Sequence, residues 1–208
     1  MLSYPVFVFL LGIAGVSCIV NDLPYPQIEP AITAMKVDDA ASIDINEKEN
    51  SVLIHLEERA DRQNVNIREV TLKDDITKCS TTLSGVFNLE KPLHFTLTNY
   101  DLSRKWTISS VQEIDRYFYV SSQMGETVID DVNHRVLVNV PDYLNLETEV
   151  CVLDAKLGPE GAEYSRDLLG YQDFRDVVEV KITAHGREEN WRIFVTPVEV
   201  NVSITKLS

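Results

Sequence analysis

Apolar and polar residues alternate in short runs along most of this chain, and polar or glycine-containing segments separate the runs. A period of two places every second side chain on one face, which is typical of a β-strand with one buried side. No helical period of about 3.6 residues continues beyond two turns, so the pattern predicts an all-β chain. The predicted strands are residues 32–37, 52–56, 65–72, 93–97, 106–108, 117–120, 136–140, 150–152, 178–182 and 191–195.

The last five of these runs repeat the first five at a nearly constant offset. Leu93 and Val178 are 85 residues apart, and so are Trp106 and Trp191. The apolar positions recur while the charged positions between them differ, so the repeat preserves a fold rather than a set of catalytic residues. The tryptophan shared by both copies is expected to be a buried packing residue rather than a surface for a sugar.

Each copy is predicted to be an immunoglobulin-like antiparallel β-sandwich, the first over residues 31–112 and the second over residues 113–208. Short strands joined by turn signals such as Gly158-Pro159 and His185-Gly186 are typical of this fold. A closed barrel is the alternative architecture.

An apolar stretch at residues 5–16 precedes the repeat. It has the length of a secretory signal core, is too short to span a bilayer, and leads through small residues to Cys18. We expect residues 1–17 to be a signal peptide, Cys18 to be lipidated and residues 18–30 to form a proline-containing tether. The alternative is an ordinary signal peptide or a buried N-terminal strand with an incidental cysteine.

The composition is that of a folded, acidic protein. Hydrophobic residues make up 44% and charged residues 25%, which is ordinary for a globular chain and argues against disorder. The net charge is −14, and lysine and arginine form no cluster. Nucleic acid is therefore excluded as an expected partner, and membrane contact is expected through the lipid anchor only.

The remaining cysteines, Cys79 and Cys151, fall one in each copy, so neither copy can close a disulfide of its own. They are not equivalent positions of the repeat, and a bridge between the copies would require two unrelated sites to meet. We expect Cys151 to pack as an ordinary small residue.

Candidate chemical sites are few. Residues 44–50 carry five oxygen-bearing side chains that suit calcium, but they lack an EF-hand glycine and fall where a turn is expected. His55 and His94 alternate with apolar neighbours and should face solvent, with no second ligand at zinc spacing. No nucleophile, phosphate-binding or dinucleotide motif appears, so we expect no catalytic residue, no metal site and no cofactor.

The longest stretches without a pattern are two corresponding loops, residues 73–86 and 158–171. The second contains Tyr164 and Tyr171 among charged residues, a mixture that suits contact with a saccharide or a protein edge. We predict these tyrosines as ligand-binding residues. The alternative is that they cover the open end of the sandwich.

Residues 18–26, Cys-Ile-Val-Asn-Asp-Leu-Pro-Tyr-Pro, precede a module containing Val52-x-Ile54-x-Leu56 and Trp106-x-Ile108, and a second copy follows. This arrangement resembles the N-terminal region of Bacteroides-type surface lipoproteins of the putative carbohydrate-metabolism domain family. The resemblance implies tandem immunoglobulin-like modules before a larger all-β domain associated with glycan use. The alternating residues 198–204 either extend the last strand or begin such a third domain.

Two classes of function follow. The first is a non-catalytic lipoprotein of the outer membrane, on its cell-surface or periplasmic face. Its modules would act as a spacer or as a stalk that contacts a polysaccharide or an outer-membrane protein. The second is an adhesion or fimbria-like structural subunit that exchanges a strand between copies. An enzyme is a more distant third, and we expect no catalysis.

Overall fold

The computed structural model describes residues 28–200; residues 1–27, which include Cys18 and the predicted signal peptide, and residues 201–208 lie outside it. The described part contains sixteen β-strands and no helix, which confirms the all-β prediction for these residues. The first eight strands are β1 (Ile32–Val37), β2 (Ala40–Asn46), β3 (Ser51–Leu56), β4 (Val65–Leu72), β5 (Lys78–Cys79), β6 (Gly85–Phe87), β7 (Leu93–Asn99) and β8 (Leu102–Gln112). The second eight are β9 (Tyr117–Val120), β10 (Val128–Asp130), β11 (Arg135–Pro141), β12 (Cys151–Lys156), β13 (Glu163–Tyr164), β14 (Gly170–Tyr171), β15 (Val178–Ala184) and β16 (Arg187–Val198).

The strand topology is duplicated. The first eight strands form a three-stranded sheet of order β1-β4-β6 and a five-stranded sheet of order β2-β3-β8-β7-β5. The second eight form sheets of order β9-β12-β14 and β10-β11-β16-β15-β13, so each strand has the neighbours of the strand eight places before it. The sequence repeat therefore corresponds to one strand topology used twice, and we call the two sets of strands the first and second halves.

The two five-stranded sheets are mixed, whereas the sequence pattern predicted antiparallel pairing throughout. β3 pairs with β8 in parallel, and β11 pairs with β16 in the same way. A parallel pair requires a long crossover, which the strands between β3 and β8 supply. Alternation alone cannot reveal this, because it reports which face of a strand is buried and not the direction of its neighbour.

Six strands were not predicted. Five of them, β5, β6, β10, β13 and β14, are only two or three residues long, too short to show a period. The sixth, β2, contains Ile43 and Ile45 between polar residues and forms an edge of its sheet beside β3.

Each half has its own hydrophobic core, lined by residues of both its sheets. Trp106 lies in the first core and Trp191 in the second, and both are fully buried, as predicted. The indole nitrogen of Trp106 donates to the carbonyl of Pro30 at 3.3 Å. The indole nitrogen of Trp191 donates to Glu189 at 2.9 Å. Both polar atoms of these large side chains are therefore satisfied inside the protein.

Two further predictions concern the cysteines and the C-terminal alternation. Within residues 28–200, Cys79 and Cys151 form no disulfide, and both are partly buried. β16 ends at Val198, and residues 199 and 200 take no strand conformation. Residues 201–204 of the alternating segment lie outside the described residues.

Candidate functional site

A short connection joins the two halves. β8 ends at Gln112 and β9 begins at Tyr117, so four residues separate the two strands. The side-chain amide of Gln112 donates to the carbonyl oxygens of Glu57, Glu58 and Ala60 at 3.0, 3.0 and 2.7 Å. The end of the first half is thereby tied to its own β3–β4 loop, immediately before the second half begins.

Ion pairs cross from one half to the other. Lys156 Nζ lies 2.5 Å from Glu58 Oε2, and the backbone nitrogen of Asp115 donates to the other carboxylate oxygen of Glu58 at 2.7 Å. Arg187 contacts Asp61 at 3.2 Å and Glu90 at 2.6 Å. We call this set of contacts the junction.

The junction changes the acidity of its own carboxylates. The hydrogen bond from Lys156 holds the pKa of Glu58 below its ordinary value, and the same bond raises the pKa of Lys156. Burial raises the pKa of Asp61, but hydrogen bonds from Asn64 and Gln63 outweigh it and leave the pKa below its ordinary value. All three shifts favour the charged forms that make the contacts.

The cavity at the junction is small. It has a volume of about 80 Å³ and is lined from both halves, by Asp61 and Gln112 on one side and His185 and Arg187 on the other. Ligand pockets are typically about 300–1,000 Å³, so this space suits water rather than a sugar ring. The junction is therefore a structural contact between the halves.

The two tyrosines predicted as ligand-binding residues lie in different sheets. Tyr164 is in β13, is partly buried against the second core, and its hydroxyl accepts hydrogen bonds from the backbone nitrogens of Leu157 and Gly158, both at 2.9 Å. Tyr171 is in β14 and its side chain is 71% exposed. The structure thus gives Tyr164 a packing role and leaves Tyr171 accessible, while ligand binding by either stays a prediction.

The sequence reasoning missed a second pair of tyrosines, Tyr117 and Tyr119 in β9. Phe118 and Val120 point into the second core, so Tyr117 and Tyr119 point away from it. Their rings stack with centroids 5.7 Å apart and planes inclined by 18°, and Tyr119 is 52% exposed. The alternation of residues 117–120 contained this information, because residues that alternate with buried positions in a strand face outward.

These rings belong to a larger surface on the outer side of the sheet β9-β12-β14. Tyr119 is paired with Asp154 of β12, and Tyr171 is paired with Cys151. Leu153 of β12 is 63% exposed between them. We call the surface formed by Tyr117, Tyr119, Leu153, Asp154 and Tyr171 the tyrosine face.

The equivalent surface of the first half is charged. The pair Tyr119 and Asp154 corresponds to Lys36 and Glu69, which are partners in the same register and form an ion pair at 2.6 Å. The position of Tyr171 is occupied by Val86. The two halves share their topology and differ at this face, so the aromatic rings are not a requirement of the fold.

Within the described residues, no group of three His, Cys, Asp or Glu side chains is placed to hold a metal ion. In the oxygen-rich segment, Asn46 Oδ1 accepts from the backbone nitrogens of Lys48 and Glu49 at 3.1 and 3.2 Å. Asp44 contacts His55 at 3.1 Å. The Asn46 oxygen stabilises the turn between β2 and β3, while the contact of Asp44 joins the two strands.

Between residues 28 and 200 there is no helix with the length and apolar character needed to cross a membrane.

Comparison with known proteins leaves the family of this chain open. Neither models of known protein families nor curated proteins gave a match. A solved structure from Bacteroides thetaiotaomicron, a putative glycoside hydrolase, is similar over 51% of this chain with a TM-score of 0.38 and 17% sequence identity. The similar region spans 33% of that protein, about a third of its length.

Proposed function

We propose that this protein is a non-catalytic, lipid-anchored stalk whose two immunoglobulin-like modules hold a contact surface at a fixed distance and orientation from the outer membrane. The observation that carries the proposal is the junction, in which Glu58 contacts Lys156 and Arg187 contacts Asp61 and Glu90 across the boundary between the halves. A flexible pair of modules would not need such contacts, because a short linker alone keeps them together.

The places where the described residues enter the first half and leave the second suit a spacer. Glu29, at the entry to the first half, contacts Arg104 near the start of β8 at 2.7 Å, while Gln112 at the end of β8 is at the junction. Strand rise is about 3.3 Å per residue, so this separates the entry from the junction by roughly 25 Å. β16 begins at the junction with Arg187 and leads away from it to Val198.

The immunoglobulin-like architecture is part of the proposal. Its support is that each half surrounds one core with a three-stranded and a five-stranded sheet, with a buried tryptophan in the long last strand. The sheets of each half are separate within residues 28–200, which favours a sandwich over the closed barrel.

The membrane anchor is proposed from the sequence, with Cys18 as the acylated residue. Glu29 and Pro30 already contact the first half through Arg104 and Trp106. The tether that separates the anchor from the fold is therefore residues 18–28, and a chain of this length keeps the first half close to the bilayer. We propose a role in polysaccharide utilisation, which the resemblance to surface lipoproteins supports.

The second candidate is an adhesion or fimbria-like subunit. Its support is the strand β2, which pairs only with β3 among residues 28–200 and so forms an edge there, and the alternating residues that follow β16. A strand donated by another copy would add to such an edge. A concentration-dependent oligomer in sedimentation experiments would favour this function, and a monomer at all concentrations would favour the stalk.

Fractionation of cells that express the full chain tests the anchored stalk. We expect the wild-type protein to incorporate a labelled fatty acid and to sediment with outer membranes, and the Cys18→Ser variant to lose both properties. Cys79→Ser and Cys151→Ser are matched controls that should keep them. Membrane association that survives Cys18→Ser without the label would contradict the proposed anchor.

A further inference from the structure

We infer that the tyrosine face binds a neutral saccharide, with the rings of Tyr117 and Tyr119 as its platform. The inference deepens the glycan-contacting part of the proposed function and does not depend on the rigidity of the junction. The Tyr164 hydroxyl already accepts hydrogen bonds from two backbone nitrogens. We therefore expect the saccharide to contact Tyr117 and Tyr119, for which the sequence pattern predicted only a strand.

The platform is preorganised. The two rings stack on each other at 5.7 Å, and the strand that carries them is fixed by Phe118 and Val120 in the second core. A pyranose ring has a face of C–H groups that packs on an aromatic ring without losing the hydrogen bonds of its hydroxyls. Rings that are already ordered bind at a lower entropy cost than mobile ones.

A polar groove runs along the same strand. It has a volume of about 360 Å³, and Gln123, Glu126 and Thr127 line it together with the two tyrosines. Thr127 Oγ1 donates to the carbonyl of Phe118 at 2.6 Å and retains acceptor capacity. Gln123 Nε2 donates to the carbonyl of Gly125 at 2.9 Å and retains a second N–H.

The size of the groove favours an oligosaccharide over a protein as the ligand. The groove volume falls within the range of about 300–1,000 Å³ that small ligands occupy. A stable protein partner would bury about 800 Å² from about 20–30 residues on each side, and the tyrosine face and the groove together contain fewer residues than that. Amide, carboxylate and hydroxyl groups beside an aromatic ring match a ligand that has both C–H faces and hydroxyls.

The charges select a neutral sugar. Glu126 and Asp154 place carboxylates beside the rings, and both are exposed. The nearby cations are already paired with carboxylates, since Lys156 contacts Glu58 and Arg116, which lines the groove, contacts Asp131 at 3.2 Å. A uronic or sulfated sugar would therefore meet repulsion without a compensating cation.

Affinity gel electrophoresis of the full chain in mild detergent tests the inference. The probes are mixed-linkage β-glucan, galactomannan, arabinoxylan, α-mannan and glycogen as neutral polysaccharides, and polygalacturonate as an anionic one. We expect retardation by at least one neutral polysaccharide and none by polygalacturonate. Loss of a stacked ring should weaken binding about tenfold in Tyr119→Ala and in Tyr117→Ala.

Two further variants separate loss of binding from loss of folding. Tyr119→Lys introduces the residue that the first half carries at the equivalent position, and it should bind as poorly as Tyr119→Ala with an unchanged thermal midpoint. Tyr100→Ala removes a tyrosine of similar exposure, 67%, from the first half and should bind like the wild type.

Three results would overturn the inference. They are retardation by polygalacturonate alone, binding that survives both tyrosine substitutions in folded protein, and no retardation by any polysaccharide. The stalk proposal would stand after any of them, because it rests on the anchor and on the junction, which are measured separately.

Discussion

Lys156 of the second half and Glu58 of the first form an ion pair at 2.5 Å, although 98 residues separate them in the chain. The two side chains are only 28% and 21% exposed, so solvent screens this pair less than it screens most surface pairs. Lys156 is also the strand partner of Tyr117, and the contact therefore links the junction to the tyrosine face.

A double-mutant cycle on Glu58→Gln and Lys156→Met measures the strength of this contact. We expect a coupling energy of about 1 kcal/mol, because the pair is partly shielded and Glu58 also accepts a backbone hydrogen bond. The free energy of unfolding from urea denaturation is the readout. The same cycle on Lys36 and Glu69, an exposed pair in the first half, should give a smaller coupling energy. Equal coupling energies would show that the junction pair is an ordinary surface contact.

Acid should loosen the junction. The pKa of Glu58 is lowered in the folded protein. The stabilisation that its carboxylate contributes to folding is therefore complete above the unfolded pKa of about 4.5 and is lost as the pH falls through the folded pKa. Carboxyl chemical shifts of Glu58 and Asp61, followed by NMR from pH 6 downwards, should titrate below their ordinary values. In Lys156→Met the pKa of Glu58 should rise, and an unchanged pKa would assign the shift to another cause.

Each core should depend on its own tryptophan. Truncation of a buried tryptophan costs about 3–5 kcal/mol, so Trp106→Ala should destabilise the first half and Trp191→Ala the second. The chain has two tryptophans, so each variant retains one fluorescent reporter in the other half. The unfolding midpoint from the fluorescence of the remaining tryptophan should shift far less than the midpoint from the backbone amide signals of the mutated half. Equal shifts in both halves would mean a single cooperative unit.

Tyr164 should stabilise the second half through its hydroxyl. Tyr164→Phe leaves the backbone nitrogens of Leu157 and Gly158 without their acceptor, and we expect a loss of about 1–3 kcal/mol in the free energy of unfolding. Tyr171→Phe, on an exposed ring, is the matched control and should change stability by less than about 0.5 kcal/mol. A loss below that limit in Tyr164→Phe would contradict the assigned packing role.

Sequence patterns predicted the features that depend on burial. The alternating runs located every strand longer than three residues except β2, and the repeated tryptophan was correctly placed in each core, because both follow from which side chains avoid water. The parallel pairing of β3 with β8 was not predictable in this way, since apolar and polar residues alternate equally in parallel and antiparallel strands that have one buried face. The shortest strands were missed because two residues contain no period.

The sequence did not predict the junction or the tyrosine face, and the reasons differ. Glu58 and Lys156 are ordinary charged residues whose pairing depends on how two folded halves meet, and one sequence carries no signal for it. Tyr117 and Tyr119 were visible as the outward residues of a predicted strand. The prediction of a binding surface relied on loops without a pattern, whereas this surface is part of a sheet.

Residual dipolar couplings of backbone amides in the isotopically labelled full chain, weakly aligned in solution, test the rigid stalk most directly. If the junction fixes the halves, couplings from residues 31–112 and from residues 117–198 will fit one alignment tensor of the same magnitude and orientation. The Glu58→Gln, Arg187→Ala double variant should then separate them into two tensors. Two tensors of different magnitude in the wild-type protein would show that the halves move independently, and this result would contradict the account.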